Sequence, residues 1–125
     1  MSSQPDDGHP SAQELHTELS RELSLPDESQ DWGIVNADGG RLEEFVTFLC
    51  GHDLAPTQVF DVVELILASA NERLLDDATY DLSMVAEVLD RYPGAASVHC
   101  DYWRGLHDPS EYPVSRWLRD SYSSQ

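Results

Sequence analysis

The chain has 125 residues, 24 acidic and 7 basic side chains, a formal charge of −17 and 40% hydrophobic residues, which is the scale of one domain with a modest core. No apolar stretch approaches the ~20 residues that cross a bilayer, and the first residues lack the apolar run of an export signal, so a cytoplasmic protein without membrane contact is expected. Every basic residue is Arg and none is Lys; such scattered cations cannot build the basic face that nucleic acid requires, which argues against direct nucleic-acid binding.

Residues 1–31 hold eight acids and a single Arg, together with Pro5, Pro10 and Pro26. That composition resists packing and predicts a mostly mobile segment. Within it, Ser11-Ala12-Gln13-Glu14 is a capping-box pattern, and Leu15, Leu19 and Leu23 follow at a spacing of four. The pattern fits a short amphipathic helix over 12–24, docked loosely on the domain or on a partner, and a frayed tail is the alternative. The folded domain is expected over 32–125. Asp38-Gly39-Gly40 is a turn into a helix over Arg41–Gly51, with Leu42, Phe45, Leu49 and either Phe48 or Val46 inward, and with Glu43 and Glu44 in the first turn, where the helix dipole favours them.

Asp53-Leu54-Ala55-Pro56 restarts a helix that continues to about Leu75. At 100° per residue, Val59, Phe60, Val63, Ile66, Leu67, Ala70 and Leu74 share an apolar arc, while Gln58, Asp61, Ser69, Glu72 and Asp76 lie opposite. Val62 and Leu65 break the pattern by falling among the acids. Asp77 or Asp81 is placed to cap a helix over Tyr80–Arg91, with Leu82, Val88, Leu89 and either Val85 or Met84 inward. Tyr92-Pro93-Gly94 ends it. For Ala95–Arg104 the spacing of Val98 and Tyr102 favours a helix, and Ser97-Val98-His99-Cys100 leaves a short strand as the alternative. Pro113 opens a last helix, Val114–Tyr122, with Val114, Trp117 and Leu118 apolar and Arg116 and Arg119 outward. The expected class is all-α, an irregular bundle of four to five helices with a mobile acidic N-terminal segment.

The sequence points to no cofactor, metal or catalytic residue. Cys50-Gly51-His52 and His99-Cys100 lack the spacing of paired zinc ligands, and two buried, reduced thiols are the simpler reading. No Gly-x-Ser-x-Gly elbow, phosphate cradle or twelve-residue calcium loop is present. A negative environment raises thiol pKa values and so works against a cysteine nucleophile. Abundant carboxylates are what a solvated surface normally carries. A non-enzyme is therefore expected.

An interaction role fits better. Tyr92, Tyr102, Trp103, Tyr112, Trp117 and Tyr122 interleave with Asp101, Asp108, Glu111 and Asp120, and aromatic anchors within polar rings are how protein interfaces hold a partner. Val62 and Leu65 among Asp61, Glu72 and Asp76 suggest a second patch, whose alternative use is contact with the N-terminal leucine helix or a homodimer. The candidate partner-binding residues are Asp61, Val62, Leu65, Glu72, Asp76, Tyr102, Asp108, Glu111 and Tyr112.

The stretch Glu44-Phe45-Val46-Thr47-Phe48-Leu49-Cys50, the following turn with Asp53, the second amphipathic helix with outward acids, and the later Glu111-Tyr112-Pro113 together resemble small, acidic, helical immunity proteins of bacterial toxin systems, including those of the colicin DNase kind. The resemblance is one of pattern over part of the chain, and no binding residue is carried over from it. It implies an inhibitor that occludes the positive surface of a basic toxin or nuclease. The alternatives are a nucleic-acid mimic acting on a restriction or regulatory protein, and a cytosolic helical domain whose acidity is an adaptation to high salt.

Overall fold

A computed structural model describes residues 12–26, 32–106 and 111–120. Within them the chain folds into seven α-helices and a 3-10 turn, with no strand: α1 Ala12–Leu23, α2 Trp32–Val35, the turn Gly39–Arg41, α3 Leu42–Gly51, α4 Pro56–Asp76, α5 Ser83–Arg91, α6 Pro93–Arg104 and α7 Pro113–Asp120. The all-α class holds. The helix count exceeds the expected four to five because α2 is a single turn and α1 is a formed helix.

α4 is the axis of the molecule. Pro56 occupies its first turn, and the Gln58 side chain reaches back to accept the Ala55 N–H at 2.9 Å. Its 21 residues extend about 30 Å, and all six other helices pack against it. Between Leu65 and Asn71 every residue is buried, polar Ser69 and Asn71 included. This corrects the reading of Val62 and Leu65 as a surface patch, since both are fully buried.

The physical reason is that the face that looked polar on the wheel is itself covered. Along its C-terminal half runs the segment Trp32–Arg41. The Gly33 N–H donates to Glu64 Oε1 at 3.2 Å, the Asp38 N–H donates to Ser69 Oγ at 3.0 Å, and Gly39 lies against Glu72 and Arg73. Over the N-terminal part lies α1, where Gln58 Nε2 donates to the Leu15 carbonyl and to Glu18, both at 3.2 Å. Gln58 and Ser69 were expected outward; both are buried, each holding a polar group of the segment that covers it. A buried polar side chain persists where it is hydrogen-bonded in this way.

α1 therefore belongs to the same core as the rest. Leu19 and Leu23 are buried, Trp32 Nε1 donates to Ser20 Oγ at 2.9 Å, and Arg41 Nη2 donates to the Leu23 carbonyl at 2.7 Å. The short helix expected over 12–24 within the acidic N-terminal segment is formed as Ala12–Leu23 and packs on the domain. The capping residue Ser11 lies outside the described residues.

The remaining elements follow their local signals. Asp38 Oδ1 accepts the Gly40 N–H at 3.0 Å and starts the turn into α3, whose Leu42, Phe45, Phe48 and Leu49 are buried. Asp81 is not the cap expected for α5, since Leu82 holds that position without a side-chain bond. It instead accepts from the Ser83 N–H and Oγ at 3.0 and 2.6 Å just ahead of the helix, and these bonds hold its carboxyl below the usual range. Pro93 opens α6 without an intervening loop, so the stretch containing Ala95–Arg104 is helical. Asn71 fixes the entry to α7 from the middle of α4: its Nδ2 donates to the Glu111 carbonyl and its Oδ1 accepts the Val114 N–H, each at 3.1 Å.

Candidate protein-contact surface

Helix α6 buries Ala96, His99, Cys100 and Trp103 and leaves the flank beside His99 in water. On that flank Ala95, Val98 and Tyr102 recur at helical spacing; Val98 is 54% and Tyr102 56% exposed. His99 joins the flank to α4, because its Nε2 lies 2.9 Å from the Phe60 carbonyl and its ring packs on the Phe60 ring at 4.1 Å between centroids. With a carbonyl as partner, Nε2 is the protonated nitrogen. Phe60, one turn into α4, is itself 38% exposed. Burial lowers the His99 pKa from its usual value; the Phe60 carbonyl and nearby Asp61 offset that in part.

Asp61 is half-buried at the α4 edge of this surface, and Asp101 stands on α6 with its side chain 80% exposed, 3.8 Å from Arg104. The Tyr102 ring meets Trp103 edge-on at 6.0 Å, and Trp103 meets Tyr112 at 6.2 Å. Edge-to-face contacts of this kind hold a tyrosine in place before any partner arrives. Trp103 Nε1 and Ser115 Oγ are buried without a hydrogen-bond partner.

The candidate residues thus separate. Asp61 on α4 lies near His99 of α6, Tyr102 stands one turn further along α6, and Tyr112, half-buried, joins Tyr102 through Trp103. Glu72 and Asp76 are exposed at the far end of α4, beside exposed Leu75. Glu111 is exposed, with its carbonyl held by Asn71. Val62 and Leu65 lie in the core and present nothing to a partner. Asp108 and Tyr122 lie outside the described residues. Phe60 and Val98 were missed as surface residues. Phe60 fell on the apolar arc and read as core, yet it sits near the end of α4; for Val98 the spacing of four to Tyr102 was the available signal.

The cysteines differ from expectation. Cys100 is buried, and burial pushes its thiol pKa up, whereas Cys50 is exposed near the end of α3. Its neighbour His52 packs on Phe48 with Nδ1 2.8 Å from the Phe48 carbonyl. Among the described residues no group of three or more His, Cys, Asp or Glu could hold a metal ion, and no helix there is long and apolar enough to cross a membrane.

A cleft of about 360 Å³ lies between α4 and α7, lined by Leu74, Tyr80, Pro113, Arg116, Trp117 and Asp120 among others. Tyr80 is bound into the scaffold there. Its hydroxyl donates to Glu43 and the Arg73 guanidinium lies 4.2 Å over its ring; burial, and after it Glu43, raises its pKa. No protein family, no curated protein and no solved structure matches this chain.

Proposed function

We propose that the protein is an acidic binding inhibitor, of the immunity type, that neutralises a basic toxin or nuclease domain by lying over its positive surface. One observation carries the reading: three of the seven arginines are turned to backbone carbonyls while carboxylates face outward. Arg41 holds the Leu23 carbonyl, Arg73 the Gly39 carbonyl and Arg119 the Leu106 carbonyl, at 2.7, 2.7 and 3.0 Å. Glu72, Asp76, Glu87, Asp90 and Glu111 are all exposed. The field presented to another macromolecule is negative, which draws in a basic partner and speeds its encounter. Inhibition is by occlusion: carboxylates pair with the Lys and Arg that would otherwise grip phosphates.

The test is capture from the native host on the immobilised protein, alongside the triple variant Asp61→Asn, Glu72→Gln, Asp76→Asn. The expected result is retention of a basic protein that salt releases and the variant holds less well; if that protein cleaves nucleic acid, an equimolar amount of the full chain stops it. Retention indifferent to both salt and the variant contradicts the reading.

A further inference from the structure

We infer that the α4–α6 seam, where Phe60, Val98 and Tyr102 stand in water between Asp61 and Asp101, is the docking face for a basic polypeptide segment that carries its own apolar side chain. The inference rests on the proposed function and names the place and the chemistry of the contact.

Three large apolar side chains share this surface, at 38%, 54% and 56% exposure. They are fixed from beneath: Phe60 by the His99 ring at 4.1 Å, Tyr102 by Trp103 at 6.0 Å, and Val98 by its place in α6. A surface already held in one arrangement loses little entropy when it is covered. Its borders carry carboxylates, Asp61 on α4 and Asp101 on α6, the latter 80% exposed beside Arg104 at 3.8 Å, so an apolar anchor flanked by Lys or Arg meets both kinds of complement at once. Charge also decides among occupants. A second copy brings another −17 against this one, and the chain's own first residues contribute Asp6 and Asp7 with no Arg; both are repelled where a cationic segment is drawn in.

The experiment follows backbone amide shifts of the full chain during titration with two synthetic peptides of equal length and charge. One carries Arg and Lys with Leu and Trp at helical spacing; in the other Ser replaces the apolar residues. The amphipathic peptide is expected to bind about tenfold tighter, as burial of one or two apolar side chains gives. Its shifts should centre on Phe60, Asp61, Val98, Asp101 and Tyr102. Tyr102→Ala and Val98→Ser should remove most of that advantage while far-ultraviolet dichroism stays unchanged, since both side chains are more than half exposed. Equal affinities for the two peptides, or shifts centred on Glu72 and Asp76, overturn the docking face and leave the acidic-inhibitor reading standing. Failure of both peptides to bind even at low salt overturns both readings. A dimer seen in sedimentation and abolished by Tyr102→Ala overturns the basic occupant in favour of a second copy.

Discussion

Gly39 and Gly33 do by absence what other residues do by contact. A Cβ on Gly39 would lie 2.8 Å from the Arg73 backbone nitrogen, and one on Gly33 would lie 2.8 Å from that of Leu65; neither neighbour can swing aside as a side chain would. Gly39→Ala should therefore cost about 1–3 kcal/mol through overpacking. Gly51→Ala, where nothing lies within 4 Å, should be neutral or stabilising by up to about 1 kcal/mol. Chemical denaturation of the two variants checks the contrast. The same packing explains why Leu65 was illegible. A helical wheel assumes one buried face; Val62 and Leu65 among the acids allowed for a cover on the other, by the N-terminal leucine helix or a second copy, but did not announce the glycine-bearing segment 32–41. Leu65→Ala is expected to cost about 2–5 kcal/mol, the range for a buried leucine, where a surface leucine would cost little.

His99 gives the residue-scale pH dependence. In the unfolded chain its imidazole takes up a proton near 6.5, whereas burial in the fold lowers that value. The unfolded state therefore binds more protons as the pH falls below 6.5, and the stability that neutral His99 supplies is complete above that pH and lost on acidification. Denaturation midpoints of the wild type should fall between pH 7 and about 5.5, and His99→Gln should flatten that slope. An equally steep slope in the variant assigns the dependence to other groups.

At the scale of elements, legibility followed periodicity and caps. α3, α4 and α5 were readable because apolar spacing and a start or stop signal agreed, as with Asp38 before α3 and Pro56 in α4. α2 was not, since the four residues Trp32–Val35 are too few to display a period. α1 was readable as a helix that docks on the domain or on a partner, but its contacts were not: they are Trp32, Arg41 and Gln58, and only the fold brings those together. Of the proposed contact surface, Asp61 was suggested by the helical wheel of α4 and Tyr102 by aromatic interleaving, while the exposure of Phe60 and Val98 needed the α4–α6 packing to appear. Asn71 holds the entry to α7. Asn71→Ala removes both bonds at its entry and leaves the buried Val114 N–H unpaired, which should cost about 1–3 kcal/mol. Hydrogen exchange should then quicken in α7 before it quickens in α3; uniform exchange in both would deny Asn71 that local role.

For the whole molecule, charge acts in two opposite directions. A net −17 repels itself within the compact state, so screening should stabilise the fold: the melting temperature should rise by several degrees between about 10 mM and about 500 mM NaCl. The same salt should weaken capture of a basic partner. Acidity serving only solubility in a saline habitat would show the first effect without the second.

The most direct measurement is of association and dissociation rates with the captured basic partner, for the wild type, the triple variant Asp61→Asn, Glu72→Gln, Asp76→Asn, and Tyr102→Ala. The account predicts that the triple variant associates more slowly and with a shallower salt dependence, whereas Tyr102→Ala associates normally and dissociates about tenfold faster. Wild-type rates in both variants would contradict it.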